Sequence, residues 1–382
     1  LAEGQYPDKD PVAYLDSHGW EGHKMQFNDY LKTMGLSRTP FNALRWTIEK
    51  TMGGRTAIET RRTELKVLGE PATDDDVYRS FRDLIDPKAP EPWQLWYLRA
   101  AQVMVIIGDC LFIHGAVRSQ GLLLVPAEEC RDGASEGQPP PLRLPDTTSL
   151  EEWAAELNAW KGRQLRLFEA FPRFIGDGST RWRGGAPLMM PSLVGCKVMI
   201  EGFLKGGNGA ELDPDVAAYL SRHRIRRIFA GHQPQGQSPG VMRTGNITVM
   251  VADTTFSDPK AASTSSNPAD CRGSAVSSVL IEAKTTKVGG VLADGSEHGF
   301  CLTTDEAVDE AERSVEERAS SFVGHHFEDG SWGRTIVQGQ LQTCRGEGFV
   351  LHHTLRQLNE DGVPVAEPEQ QRQHTTPEEL KK

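Results

Sequence analysis

The sequence has no excess of positive charge. It carries 42 Lys and Arg residues against 53 Asp and Glu residues, which gives a formal net charge of -11. A surface that binds nucleic acid or an anionic membrane needs a basic field, so this balance argues against both partners. An acidic protein that binds an anionic substrate needs local help from a metal ion or from arginine.

Long apolar runs and paired cysteines are also missing. No apolar run approaches the roughly 18 residues that a membrane span needs, and no signal peptide opens the sequence. The six cysteines are scattered without a CxxC pair, which argues against a zinc ribbon and against a dense disulfide framework. Reduced thiols in an intracellular, cytoplasmic protein are the simplest prediction.

The 382 residues predict an α+β chain of several segments. Amphipathic spacing predicts helices up to about residue 92, and Ser149 with Glu152 predicts a capping box at the start of another helix. Gly108-Asp109 and Gly245-Asn246 are typical of hairpin turns. Asp213 before proline predicts a further helix start. The predicted segments are 1–92 (helical), 93–300 (mixed), 301–360 (acidic helix and β-meander) and 361–382 (disordered tail).

Two histidines occur in the same context, at the end of a predicted strand and beside a glycine. His114 precedes Gly115 and His232 follows Gly231, while Asp253 ends a third strand. Strand ends can converge on one rim of a sheet, glycine leaves room for an ion or a phosphate, and neutral imidazole is a common metal ligand. On spacing alone, a packed or surface histidine is the commoner explanation for each.

Other polar residues are weaker candidates. Arg118 lies four residues after His114 and is a candidate phosphate contact, whereas Arg181 and Arg183 are more simply explained as surface residues. Adjacent histidines in the predicted meander point to opposite faces of a strand, so they are poor joint ligands. Five further histidines, His298 among them, lie in polar segments and are predicted to be solvated.

The motifs "GDCLFIHGAV" and "IRRIFAGHQPQG" resemble the last two signature motifs of calcineurin-like metallophosphoesterases, the superfamily of the Ser/Thr-phosphatase-like metallophosphatases. "GNITVMVADTTFSD" is similar to the hairpin that follows them, and "LRWTIEKTMGGRTAIETRRTEL" to a helical insert of a eukaryotic subgroup. The resemblance implies a partial αββα sandwich with an N-terminal helical insert, in which residues 1–92 are the insert and 93–300 are the C-terminal part of the phosphoesterase domain.

The same resemblance implies a hydrolase with two divalent metal ions of the Mn, Fe or Zn type. His114 and His232 would be metal ligands and catalytic residues. Gly115, Gly231, Asp253 and Arg118 would lie beside the ligands or on the substrate side. Two such cations bind phosphate oxygens and activate a bridging water for in-line attack. The implied partner is a phosphorylated substrate, either a phosphoprotein or a small molecule, and the sequence does not decide between them.

The family's earlier ligand motifs are missing from the sequence. They run Asp-x-His, then a second Asp, then Asn-His or Asn-Arg with an acid, and all would precede His114. We therefore expect the chain to be the C-terminal part of a longer enzyme, truncated before Leu1 and inactive alone. The alternative is a non-catalytic scaffold or interaction protein with a degenerate fold. A metal-free histidine hydrolase would need a positioned Ser or Cys nucleophile, and no motif supports one.

Overall fold

The computed structural model describes residues 27–51, 56–115, 117–126, 141–170, 172, 204–205, 208–209, 211–231, 234–256, 270–304, 313–347 and 350–365. The chain divides into two compact units. Unit 1 comprises 1–202 and 212–225, and unit 2 comprises 203–211 and 226–382. The mixture of helices and sheets confirms the predicted α+β class. The predicted disordered tail falls outside the described residues from position 366 onward.

Unit 1 carries seven of the α-helices in the described part of the chain. They are α1 (Phe27–Met34), α2 (Pro40–Trp46), α3 (Ala57–Val67), α4 (Asp74–Asp83), α5 (Trp93–Ala100), α6 (Leu150–Ala170) and α7 (Pro214–Arg222). A π-helical turn, Thr47–Thr51, follows α2, and a 3-10 turn covers Ser119–Gly121. None of the helices in the described ranges combines the length and apolar character needed to cross a bilayer.

The N-terminal helices of unit 1 pack around one apolar cluster. Leu44 and Ile48, four residues apart, both lie in it, as the helical spacing predicted. Ile58 and Val77 add α3 and α4 to the same cluster. Helix α4 begins at a capping box, because Thr73 Oγ1 accepts from the Asp76 amide while the Asp76 carboxylate accepts from the Thr73 amide. Local capping and helical spacing therefore explain this part of the fold.

The first hairpin consists of β1 (Met104–Ile107) and β2 (Cys110–Ile113), with Ile107 opposite Cys110. Gly108 has φ +61°, which suits the first central position of a type II′ turn. Helix α6 holds the hairpin, since Asn158 Oδ1 accepts from the Val103 amide at 2.7 Å and Asn158 Nδ2 donates to the Met104 carbonyl at 2.8 Å. The predicted hairpin is confirmed.

Helix α6 itself begins as predicted. Ser149 and Glu152 form a capping box, with the Ser149 amide donating to Glu152 at 2.8 Å and the Glu152 amide donating to Ser149 Oγ at 3.2 Å. The apolar face carries Trp153, whose indole Nε1 donates to the Leu124 carbonyl at 2.9 Å. Leu124 belongs to a short strand, β3 (Leu124–Val125), which pairs with β4 (Leu142–Arg143). Helix α6 therefore makes side-chain hydrogen bonds both to the first hairpin and to β3.

Unit 2 is built mainly from strands. The short pair β5 (Leu204–Lys205) and β6 (Asn208–Gly209) is antiparallel. Next come β7 (Arg227–Ala230), β8 (Gly240–Thr244) and β9 (Ile247–Val251). β9 pairs in parallel with β7 and antiparallel with β8, so β9 lies between them. The predicted turn at Gly245-Asn246 joins β8 and β9. This arrangement sets the ends of β7 and β9 side by side.

A six-stranded antiparallel sheet completes unit 2, with its strands in chain order. They are β10 (Val276–Ile281), β11 (Thr285–Val291), β12 (Glu297–Thr303), β13 (Trp332–Val337), β14 (Gln340–Glu347) and β15 (Val350–Arg356). Helix α8 (Val315–Ser321) connects β12 to β13. The predicted meander is present, and it is continuous with β10 to β12. Buried Arg227 on β7 donates to the carbonyls of the β10–β11 turn, at 2.7 Å to Glu282.

Candidate functional site

The carboxyl ends of β7 and β9 lie at the same edge of a sheet. Their pairing is parallel, with Ala230 opposite Val251, and the Ala252 amide donates to the Ala230 carbonyl at 3.0 Å. Gly231 follows β7 directly, and Asp253 stands two residues past the end of β9. Chain segments that leave parallel neighbouring strands at their carboxyl ends are the usual place for ligand-binding residues in such sheets.

Asp253 is exposed and lies in a local turn. Its Oδ1 accepts a hydrogen bond from the Thr255 amide at 2.8 Å, and Thr255 takes the left-handed φ of +61°. Beneath this turn, buried Thr254 donates from Oγ1 to the Ala275 carbonyl at 3.0 Å. The turn therefore holds the carboxylate at the sheet edge in contact with solvent.

His232, the second predicted ligand, lies outside the described residues. Its chain neighbour Gly231 is half-buried, and Gly231 is where the description of the strand segment stops. The described structure resumes at Pro234, ahead of a loop in which Gln235 and Ser238 are both buried. The position of the His232 side chain thus stays a prediction from the sequence.

His114 lies in unit 1, directly after β2. The imidazole is exposed, whereas Gly115 beside it is buried. The strand before it is anchored by Leu111 and by Cys110, which is 2 % exposed. Cys110 is therefore a core residue. A well-packed hairpin arm thus ends on a solvent-accessible imidazole.

Arg118 is held by an ion pair within unit 1. Its Nε donates to Asp213 Oδ2 and its Nη2 lies by Asp213 Oδ1, both at 3.1 Å. The Ser119 amide donates to the same carboxylate at 2.8 Å. Partial burial works to raise the pKa of Asp213, but the Ser119 hydrogen bonds and the Arg118 guanidinium together lower it. Arg118 is therefore paired with the carboxylate of Asp213 and not presented to solvent as a free cation.

The same contacts change the role predicted for Asp213. Helix α7 starts after Asp213 with proline at its first position, as predicted, but the Asp213 side chain makes no capping hydrogen bond to that helix. Its carboxylate instead accepts from Arg118 and Ser119, at the 3-10 turn far earlier in the sequence. A partner more than 90 residues away is invisible to local pattern analysis.

The remaining predicted arginines, Arg181 and Arg183, lie outside the described residues. His298, predicted to be solvated, is 6 % exposed, so that prediction is wrong. Its Nε2 pairs with Ser277 Oγ and its Nδ1 with Thr335 Oγ1, both at 2.9 Å. Burial, with help from the positive charge of Arg334, lowers the pKa of His298. Two strand hydroxyls thus satisfy a histidine that is structural.

Within the described ranges, no three side chains of His, Cys, Asp or Glu lie close enough together to hold a metal ion. Gly231 and Asp253 share a sheet edge in unit 2, whereas His114, Gly115 and Arg118 belong to unit 1. The arginines on the strands were not among the residues predicted from the sequence, and one of them, Arg334, is completely buried. A charged residue inside an apolar strand pattern was the available signal.

Comparison with protein-family models found no match to this chain, and comparisons with curated proteins and with solved structures found none either. The family resemblance therefore rests on the quoted motifs and stays a prediction. Since one fold can host many activities, the function has to be argued from the residues and their geometry.

The neighbouring pair His352 and His353 gives a first testable prediction. His352 is exposed, while both ring nitrogens of His353 are buried and have no hydrogen-bond partner in the described part of the chain. Burial lowers the pKa of His353 from 6.5 to about 4, and the charges of Arg334 and His352 act in the same direction. His353 is therefore neutral in the folded protein at pH values where it is protonated in the unfolded chain.

Protonation of the unfolded chain should then destabilise the protein in acid. Between pH 6.5 and about 4, only the unfolded state gains a proton at His353. The unfolding free energy therefore decreases as the pH is lowered through this range, by about 3 kcal/mol in total. Urea unfolding at several pH values checks this, with His353→Gln expected to remove that part of the slope and His352→Gln to retain it. Equal slopes for His353→Gln and the unmodified protein would contradict the prediction.

Proposed function

We propose that this chain carries two metal-ligating histidines of a calcineurin-like metallophosphoesterase with an αββα sandwich fold. The observation that supports this most is the parallel pairing of β7 and β9, which puts Gly231 and Asp253 at one sheet edge. His232 is the next residue after Gly231 in the sequence. A Gly-His pair after a buried strand, next to an exposed carboxylate, is a suitable start for a metal or phosphate site.

The donor types suit the two divalent cations of the Mn, Fe or Zn type that this proposal requires, but the described residues do not complete a centre. His114 offers an exposed imidazole at a fixed strand end, and His232 would offer a second. Asp253 Oδ1 accepts a hydrogen bond from the Thr255 amide, which fixes the carboxylate at the edge of the sheet. When bound, such cations polarise phosphate oxygens and activate water.

Arg118 has a narrower role in this proposal. Its guanidinium already makes two contacts to Asp213, so contact with a phosphate requires that pair to open. The substrate is a phosphate ester, from a phosphoprotein or a small molecule. Cys110, Cys271, Cys301 and Cys344 are all free thiols, which supports a reducing, cytoplasmic compartment as part of the same proposal.

Metal-dependent phosphatase assays test the proposal. We expect the 382-residue chain alone to show no Mn²⁺-dependent hydrolysis of p-nitrophenyl phosphate, because two histidines cannot hold a two-metal centre. If a longer coding sequence supplies the missing Asp-x-His, second Asp and Asn-His or Asn-Arg motifs, the longer protein that carries them should hydrolyse the ester. His232→Ala in that longer protein should reduce turnover to the uncatalysed background while the circular dichroism spectrum is unchanged.

His352→Ala is the matched control, since His352 is exposed and lies on β15. It should keep full activity. Retained activity in His232→Ala would refute the ligand assignment. If the longer protein neither binds Mn²⁺ nor hydrolyses the ester, the non-catalytic scaffold is the better explanation. Robust turnover by the 382 residues alone would show that the remaining ligands lie within them.

A further inference from the structure

A cavity of about 170 Å³ in unit 2 is lined by two arginines, Arg243 and Arg313, and neither forms an ion pair with a carboxylate within the described residues. It is lined by the β8–β9 hairpin, the end of β12 and the segment around α8. Its polar lining includes Arg243, Asn246, Thr248, Thr304, Arg313 and Glu317. A water takes about 30 Å³ of liquid volume, so the cavity has room for an oxyanion or for several waters.

The two guanidinium groups are close enough to affect each other. Burial lowers the pKa of Arg243, and the positive charge of Arg313 lowers it further. Arg243 Nε donates to the Val323 carbonyl at 2.9 Å, a neutral acceptor. Arg313 Nε is buried, and none of the described residues accepts a hydrogen bond from it. Two neighbouring cations with a buried, unsatisfied donor form an arrangement that an anion stabilises.

Glu317 does not supply this anion. Its Oε2 accepts from the Ser314 amide at 2.9 Å and from Ser314 Oγ at 3.0 Å, in the capping box of α8. The Ser314 hydrogen bonds, with a smaller contribution from Arg313, lower the pKa of Glu317. No ion pair joins Glu317 to either arginine among the described residues. The carboxylate therefore belongs to the helix start, and the cavity keeps a net positive lining.

The lining also supplies a neutral hydroxyl group beside Arg243. Thr248 lies directly opposite Arg243 across the β8–β9 pair, so its side chain shares the face of Arg243. Thr304 directly follows β12, and its Oγ1 donates to the Lys284 carbonyl at 3.3 Å, so this hydroxyl is already engaged within the chain. Guanidinium groups combined with hydroxyl groups are the usual lining of an oxyanion site, because arginine matches the geometry of phosphate oxygens.

We propose that this cavity binds a phosphate group, either inorganic phosphate or the phosphoryl group of a phosphorylated side chain. The inference does not depend on the phosphoesterase proposal, since it uses neither His114 nor His232. The dianion would accept from Arg313 Nε and from Arg243, and its charge would relieve the repulsion between the two guanidinium groups. Phosphate is the preferred ligand because two cations converge on one small cavity.

Calorimetric titration of the 382-residue chain with inorganic phosphate tests this site. We expect saturable binding with one site per chain, and an affinity at least about tenfold weaker in Arg313→Gln, because that change removes a charge-assisted hydrogen bond. Arg345→Gln is the matched control, since Arg345 is an exposed arginine of unit 2 outside the cavity, and it should bind as tightly as the unmodified chain. Unchanged thermal midpoints exclude unfolding as the cause.

The sequence between Thr304 and Arg313 contains carboxylates that are a rival source of negative charge, so the titration is repeated with all of them changed to amides. They are Asp305, Glu306, Asp309, Glu310 and Glu312. Binding in either protein that Arg313→Gln weakens supports the site. Absence of binding in both, or binding that Arg313→Gln leaves unchanged, overturns it. A phosphoserine peptide that binds at least about tenfold more tightly than phosphate would identify a phosphorylated protein as the source; equal affinity would identify the free ion.

Discussion

Replacing Gly333 by alanine is expected to lower the unfolding free energy by about 3 kcal/mol or more. A Cβ atom at this position of β13 would overlap the Phe322 carbonyl oxygen and would lie 2.8 Å from the Phe322 carbonyl carbon. Both atoms belong to the backbone, so no side-chain rotation relieves the clash. The Gly333 amide donates to the His325 carbonyl at 2.9 Å, and the Gly333 carbonyl accepts from the Gly324 amide at 2.8 Å. Any retreat of β13 would break these bonds.

Gly289→Ala is the matched control for this prediction. Gly289 also lies in a strand of the six-stranded sheet, but the nearest atom to its added Cβ would be the His298 carbonyl oxygen, at an ordinary 3.8 Å. That variant should keep or slightly raise the stability, by up to about 1 kcal/mol, because alanine restricts the unfolded chain. Urea unfolding followed by tryptophan fluorescence measures both. Similar midpoints for the two variants would contradict the close approach at Gly333.

Local signals predicted the elements whose cause lies within a few residues. The hairpin turns at Gly108-Asp109 and Gly245-Asn246 and the capping box of Ser149 and Glu152 depend on chemistry that the sequence displays directly. The α+β class follows from the same kind of pattern. The close packing at Gly333 has no such signal, because the atom that excludes a side chain belongs to Phe322, which follows helix α8.

Distant partners explain the predictions that were wrong or incomplete. Asp213 has the sequence context of a helix cap, yet its carboxylate is used by Arg118 and Ser119. His298 lies in a polar segment, yet hydroxyl groups on two other strands satisfy it in a buried position. In both cases the competing hydrogen bonds come from residues that the fold brings near. Such pairings depend on tertiary structure, which propensity and spacing do not encode.

The candidate site also combines features with a local sequence signal and features that depend on tertiary contacts. The sequence identified Gly231 and Asp253 as residues after strands, because apolar runs stop there. The sequence did not say that β7 and β9 are parallel neighbours, since β8 intervenes along the chain. That pairing is a tertiary property. His232 lies outside the described residues, so the phosphatase assay of His232→Ala is what tests its place in the site.

Arg334 is the buried residue with the greatest expected effect on unit 2. It is fully buried on β13, next to an irregularity in the pairing with β14 between Gly333 and Thr335. Its Nε donates to Ser238 Oγ at 3.2 Å, and its Nη2 donates to the carbonyls of Gln235 and Ser238. One guanidinium thus holds the buried loop that joins β7 to β8, just beyond the Gly231-His232 pair.

We expect Arg334→Ala to lower the unfolding free energy by about 3–5 kcal/mol. The substitution leaves buried carbonyl groups without a hydrogen-bond donor, and it leaves a cavity. Arg334→Met restores most of the volume, so it should lose less, and the difference between the two variants measures the cavity contribution. Arg345→Ala is the control, because Arg345 is exposed and its partner among the described residues is Asp329, and the unfolding free energy of this variant should stay within about 1 kcal/mol of the unmodified protein.

Urea denaturation of the three variants gives these free energies, and hydrogen exchange locates the effect. The amides around Gln235 and Ser238 should exchange faster in Arg334→Met than in the unmodified protein, even under conditions where the rest of unit 2 keeps its protection. If Arg334→Met instead matches the unmodified protein in both stability and exchange, the guanidinium is not what holds this loop. Because the loop adjoins Gly231, its release would also disturb the proposed ligand segment while Asp253, held by its own turn at Thr255, stays in place.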